Sequence, residues 1–137
     1  MKIMCDTNVI LDVFLQREPF VADSCQVLKL CEERKIEGYI TASSVTDMFY
    51  LLRKYMRNVD LAYQALGRIL EIMRICGVND RDIMAAYQKK ARDFEDCLIA
   101  VCAQSIPCDY IITRNQKDFT EFNIPLLTPS ELLRLRI

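Results

Sequence analysis

Apolar residues in this chain follow two rhythms, short unbroken runs and stripes of helical period, and the two alternate from one end to the other. Ile3-Met4-Cys5 is apolar at consecutive positions, which predicts a strand buried on both faces of a sheet. Asp6 falls at its carboxyl end, and Thr7-Asn8 turns the chain into residues 9–15, a short helical or irregular segment that stops before Arg17-Glu18-Pro19. Over residues 20–34, Ala22, Cys25, Leu28 and Cys31, with Val27 and Leu30, make one broad apolar stripe. Glu32-Glu33-Arg34-Lys35 forms its wet end, as in an amphipathic helix. Gly38 opens a second β-favouring run, 39–42. Ser43 or Ser44 then caps a helix through Val45, Met48, Phe49, Leu51, Leu52 and Tyr55, with Asp47 in its first turn.

Leu61, Ala65, Leu66, Ile69, Leu70 and Met73 predict a helix over 60–75, closed at Cys76-Gly77-Val78, where one short strand fits. Another helix covers 80–91, with Ile83, Met84, Ala86 and Tyr87 on its apolar side. Arg92-Asp93-Phe94-Glu95-Asp96 precedes a helix over 97–103 that is apolar almost all round and therefore buried. Pro107 closes it. Residues 109–113 read as a buried parallel-type strand and 124–127 as a last short one, and Thr128-Pro129-Ser130-Glu131 has the form of a helix start. Strands alternating with helices predict an α/β fold with a mostly parallel central sheet. At 137 residues the chain suits one domain, 1–137.

Composition narrows the chemistry. With 52% hydrophobic residues, three glycines and four prolines, the chain is not a disordered or low-complexity one. Seven cysteines, an odd number without a C-x-x-C pair, read as buried free thiols in a reducing cytoplasm. There is no histidine, which excludes His-ligated zinc, a Ser-His-Asp triad and a histidine general base. Asp6 and Asp12 interrupt the first apolar run, so it does not read as a secretory signal, and no segment has the apolar length of a membrane helix. A net charge of −1 provides no global pull on nucleic acid, so a polyanionic partner must be held by local cations. Those on offer are Arg53, Lys54 and Arg57, with Lys89, Lys90, Arg92, Arg114 and Lys117. Phe49, Tyr50 and Tyr55 fit a packed helix face better than a base-stacking platform.

Four acidic places compete for one site. They are Asp6 after the first strand, Asp47 at the head of a helix, Asp93 or Asp96 at the head of the buried helix, and Asn115 or Asp118 after the late strand. In an open parallel sheet, strand carboxyl ends and the helix starts that follow them share one edge, so all four can converge there. Gathered carboxylates repel, and a hard divalent cation, Mg²⁺ or Mn²⁺, keeps them ionised while retaining waters of its own. Such a site suits phosphodiester hydrolysis without histidine.

Asp6-Thr7-Asn8 after an apolar strand, Ser43-Ser44-Val45-Thr46-Asp47 leading into a helix, Asp93-Phe94-Glu95-Asp96 before Leu98-Ile99-Ala100, and Thr113-Arg114-Asn115 with Asp118-Phe119 together resemble the PIN domain family, in its prokaryotic VapC-like toxin branch. The resemblance implies a three-layer α/β/α sandwich and a metal-dependent endoribonuclease acting on single-stranded RNA, leaving a 5′-phosphate and a 3′-hydroxyl. It also implies an antitoxin protein partner and a homodimer. By matching positions, Asp6, Asp47 and Asp96, with Asp93, are the implied ligands of Mg²⁺ or Mn²⁺. Asp118 joins Asp6, Asp47 and Asp96 as catalytic acids, with Asn115 competing for the fourth place. Thr7, Asn8, Thr113, Arg114 and Asn115 are the implied substrate contacts. Asp47 stands where the family more often has Glu. The rival is a non-catalytic interaction module on the same fold, in which Asp47 and Asn115 reflect lost metal binding. An aspartyl-phosphate enzyme fits less well, because it would want an acid where Asn8 stands.

Overall fold

The consecutive apolar run at the start becomes β1 (Lys2–Cys5), the central strand of a five-stranded sheet of order β3-β2-β1-β4-β5 in a computed structural model that describes residues 1–135. Residues 136 and 137, included in the domain expected over 1–137, lie outside the described residues. The other strands are β2 (Glu37–Thr41), β3 (Arg74–Cys76), β4 (Tyr110–Ile112) and β5 (Leu126–Leu127), and every pairing is parallel. The helices are α1 (Thr7–Phe14), α2 (Val21–Glu32), α3 (Ala42–Met56), α4 (Val59–Ile72), α5 (Asp80–Lys89), α6 (Phe94–Ser105) and α7 (Pro129–Leu133), and a 3₁₀ turn spans Gln116–Phe119.

Because side chains alternate along a strand, β1 feeds two cores. Ile3 and Cys5 pack with Ile40, Ile112 and residues of α1 to α4 and α7, whereas Met4 packs with Ile111, Phe119 and residues of α5 and α6. The result is the expected three-layer α/β/α sandwich. Gly38 in β2 permits a close approach, since a Cβ there would lie 2.6 Å from the Cys31 sulfur and 2.7 Å from the Met73 methyl.

Several boundaries differ from the sequence-based expectation. The helix expected to reach residue 75 ends at Ile72. Met73 turns extended, and Arg74–Cys76 pair with β2, so the short strand expected at Cys76-Gly77-Val78 begins two residues earlier and ends before Gly77. Parallel pairing here overrides a helical stripe. α3 starts at Ala42, which moves Asp47 to the second turn, and the Thr41 hydroxyl pairs with Ser44 at 2.6 Å instead of a serine capping the backbone. α6 begins at Phe94, three residues early, because the Asp93 side chain caps it by accepting from the Asp96 N–H at 3.0 Å. On α2, Ser24 is buried while Ala22 and Cys25 face outward. Six cysteines are buried, and all seven are free. Among the described residues no helix is long and apolar enough to cross a membrane.

The strand order turns back on itself between β1 and β4. In such sheets the crevice outside the carboxyl ends at that point is open to a ligand.

Candidate active site

Asp6 follows β1 directly, and Thr113 follows its neighbour β4. The Asp6 N–H donates to the Ile112 carbonyl at 2.9 Å, which continues the ladder past the last strand residue. The Thr113 hydroxyl donates to Asp6 Oδ2 at 2.9 Å and accepts from the Asn115 N–H at 3.0 Å. Asp6 is only 6% exposed and Thr113 fully buried, so the carboxylate is oriented from behind, with its free side on an open cleft of about 420 Å³. The cleft walls are Asp6, Thr7 and Asn8 from the start of α1, Asp47, Tyr50 and Leu51 from α3, and Asp93, Glu95 and Asp96 from the start of α6.

Five carboxylates on one cleft have an electrostatic consequence. Burial pushes the Asp6 pKa up, the Thr113 hydrogen bond opposes this, and the charge of Asp118 adds to the rise. Asp96 is raised to about 7, first by burial and then by the charges of Asp6, Asp93, Asp118 and Glu95. Glu95 is exposed at the rim, yet partial loss of water and the charges of Asp47, Asp6 and Asp93 raise it as well. The Thr7 hydroxyl beside it eases that shift, but Thr7 Oγ1 is buried without a hydrogen bond of proper geometry. A cation placed among these groups would relieve every one of these repulsions. The donors are all hard oxygens, which suits Mg²⁺ or Mn²⁺. They are gathered at the cleft but not closed into a cage: among the described residues no group of three or more acidic or thiol side chains is arranged to hold a metal ion.

The expected site residues separate into groups. Asp6, Asp47, Asp93, Asp96, Thr7 and Asn8 share the cleft. Asp118, in the 3₁₀ turn, lines an adjoining depression with Asp93, Arg92 and Lys117, and its charge reaches Asp6 and Asp96. Asn115 heads that turn half-buried and is not among the cleft walls. Two other expected contact residues are engaged within the protein. Thr113 is fully buried and donates to Asp6. Arg114 grips Asp12 with two hydrogen bonds, at 2.8 and 3.3 Å, and lies 4.2 Å from the Phe20 ring, so its guanidinium is engaged in holding the fold.

Glu95, Tyr50 and Asp12 are the residues that sequence reasoning missed. Glu95 reads as an acid in a helix's first turn, and nothing local reveals that this turn faces Asp47. Tyr50 was expected in a packed face, yet it is 64% exposed and lines the cleft, and Tyr55 is exposed too, while Phe49 packs on Tyr63 at 4.6 Å. For Tyr50 the signal was available, since Asp47, Tyr50, Leu51 and Lys54 share one helix face. Asp12, fully buried, is the anchor for both Arg114 and Arg17.

Known proteins resemble this chain in sequence and in fold. Ribonuclease VapC1 of Aquifex aeolicus (strain VF5) is 26% identical over 135 residues, covering 95% of this chain and 92% of its own. The structure of VapBC2 from Rickettsia felis, bound to a DNA fragment from their promoter, superposes with a TM-score of 0.72 at 19% identity, covering 93% of this chain and 98% of that one. A toxin–antitoxin complex from Klebsiella pneumoniae superposes with a TM-score of 0.64 at 25% identity, over 92% and 96% of the two chains. The family described as PIN domain matches residues 2–117. With that match over most of its length, the chain belongs to the PIN domain family.

Proposed function

We propose that this protein is an endoribonuclease that hydrolyses phosphodiester bonds of single-stranded RNA with the help of Mg²⁺ or Mn²⁺, and that it is the toxin of a toxin–antitoxin pair. The observation that carries the reading is the convergence of Asp6, Asp47, Asp93, Glu95 and Asp96 on one cleft at the carboxyl edge of the sheet, with Asp6, Glu95 and Asp96 all driven toward their protonated forms. The relative named a ribonuclease and the similar toxin–antitoxin structures support it. An antitoxin chain and a second copy of this chain are the protein partners proposed with it, and the cytoplasm is the compartment that suits seven free thiols.

Asp6, Asp96, Asp47 and Asp93 are the residues that would hold the ion, with Asp118 adding charge from the neighbouring turn. When bound, such an ion makes water acidic enough to attack a phosphodiester near neutral pH and offsets charge on the phosphoryl oxygens. Thr113 fixes the face that Asp6 presents. Thr7 and Asn8 line the cleft with Asp6 and can orient a phosphate oxygen or a water. Asp47 has a shorter reach than the Glu more usual there, and Glu95, whose charge already interacts with that of Asp47, is the acid that can supply the missing reach.

Incubation of the full chain with a 5′-labelled single-stranded RNA and Mn²⁺ tests the reading. Fragments that disappear on adding EDTA, together with Mn²⁺ binding by calorimetric titration, are the expected result. Absence of both is the behaviour of a non-catalytic module, and cleavage that persists in EDTA contradicts the metal-assisted chemistry.

A further inference from the structure

The cleft is acidic, and a polyanion can approach it only where cations and stacking surfaces offset that charge. One such surface adjoins it. Arg17, at the end of the α1 loop, is drawn against buried Asp12 at 3.6 Å, and its guanidinium donates to Asn8 Oδ1 at 3.4 Å, on the cleft wall. The same guanidinium sits 5.9 Å from the centre of the Tyr55 ring, and the Lys54 ammonium sits 5.5 Å from it. Tyr55 is 57% exposed, and Tyr50, five residues earlier on α3, is 64% exposed and lines the cleft itself. From the acids outward, the surface therefore runs through Asn8 and Tyr50 to Arg17, Tyr55 and Lys54. Exposed tyrosines interleaved with cations are the composition of a single-strand binding track, in which phosphates meet the cations and bases stack on the rings.

We propose that Arg17, Tyr50, Lys54 and Tyr55 form a binding subsite for a nucleotide of single-stranded RNA flanking the bond to be cut. Arg17 and Lys54 take a backbone phosphate, and the tyrosines take bases. Arg17 shares Asp12 with Arg114 but holds it more loosely, at 3.6 Å against 2.8 Å, and it is the cation placed beside Asn8 and Tyr55. The inference rests on the ribonuclease reading for its substrate, but its test does not depend on cleavage.

The test measures fluorescence anisotropy of a labelled 2′-O-methyl oligoribonucleotide, which resists cleavage, against the full-length protein. Tyr55 is exposed, so its replacement leaves the core intact. Tyr55→Ala should raise Kd about 5-fold or more, Tyr55→Phe should restore binding, and Arg17→Gln should weaken binding and flatten its salt dependence. Mn²⁺ affinity by calorimetry should be unchanged in all three. Kd values equal to the parent in Tyr55→Ala and Arg17→Gln overturn the subsite even where Asp6→Asn abolishes cleavage and the ribonuclease reading stands. Conversely, weakened oligonucleotide binding in a protein that cuts no RNA supports the subsite and counts against the nuclease. If these replacements instead abolish binding of a co-expressed protein partner and leave oligonucleotide binding intact, the surface serves that partner and the proposal fails.

Discussion

The Thr113 hydroxyl is the side-chain group that orients Asp6, and that makes it a sharp probe of the site. Thr113 is fully buried and its side chain touches Asp6 and the Asn115 N–H, so Thr113→Val keeps the shape and removes the restraint. Groups that orient a ligand from behind typically contribute about 10- to 100-fold in metal affinity, and a loss of that size in Mn²⁺ titration is expected. Unchanged affinity would mean that Asp6 needs no such support. Asp96 has a pH signature. Its pKa in the fold is about 7, against about 4 in an unfolded chain. A carboxyl with a raised pKa binds its proton more tightly when folded. Its contribution to stability is thus present at low pH and lost as the pH climbs from about 4 through about 7. The metal-free protein should therefore melt lower at pH 8 than at pH 5, Asp96→Asn should reduce that difference, and Mn²⁺ should raise the melting temperature of the parent most at the higher pH. A pH dependence identical in Asp96→Asn contradicts the assignment.

At the scale of elements, the last turn of α1 and the segment after β4 are tied together by Asp12 and Arg114, 102 residues apart in sequence. Removing the cation leaves a fully buried carboxylate with only Arg17 at 3.6 Å, so Arg114→Met should destabilise the fold by about 3 kcal/mol in urea unfolding. A loss below about 1 kcal/mol would show that Arg17 suffices to hold the charge. This tie was also the part of the site least legible in the sequence. Asp6 could be located because an acid within a run such as Ile3-Met4-Cys5 demands an explanation, and the buried α6 helix because its apolar residues surround it. Asp12 sits in the same kind of run and gave no sign of its partner, since a pairing across the sheet leaves no trace in local spacing. The early start of α6 and the late position of Asp47 within α3 have the same origin. Asp93 caps with its own side chain, and Thr41 pairs with Ser44, both contacts that compete with the simpler boundary signals.

For the whole molecule, the strand order places the change of direction between β1 and β4, and the acids collect beside it because they follow a strand or lie in the first two turns of a helix at that edge. That is why alternating runs and stripes anticipate a parallel α/β sheet and the family resemblance implies its three layers, while the residues lining the cleft depend on how α3 and α6 face one another. The separation of roles is equally a property of the whole: two apolar cores hold the sheet, the acid-lined cleft lies at its edge, and the cations near it are divided between structure, as with Arg114, and exposed surface, as with Lys54. The central claim is that this cleft cuts RNA through its carboxylates. The most direct measurement compares the initial rate of Mn²⁺-dependent cleavage of a single-stranded RNA by the parent protein with the rates of Asp6→Asn and Asp96→Asn prepared identically. We expect each substitution to lower kcat/KM by more than about 100-fold while circular dichroism shows the fold retained, a loss beyond that of an orienting group alone. Parent-like cleavage by both variants would contradict it.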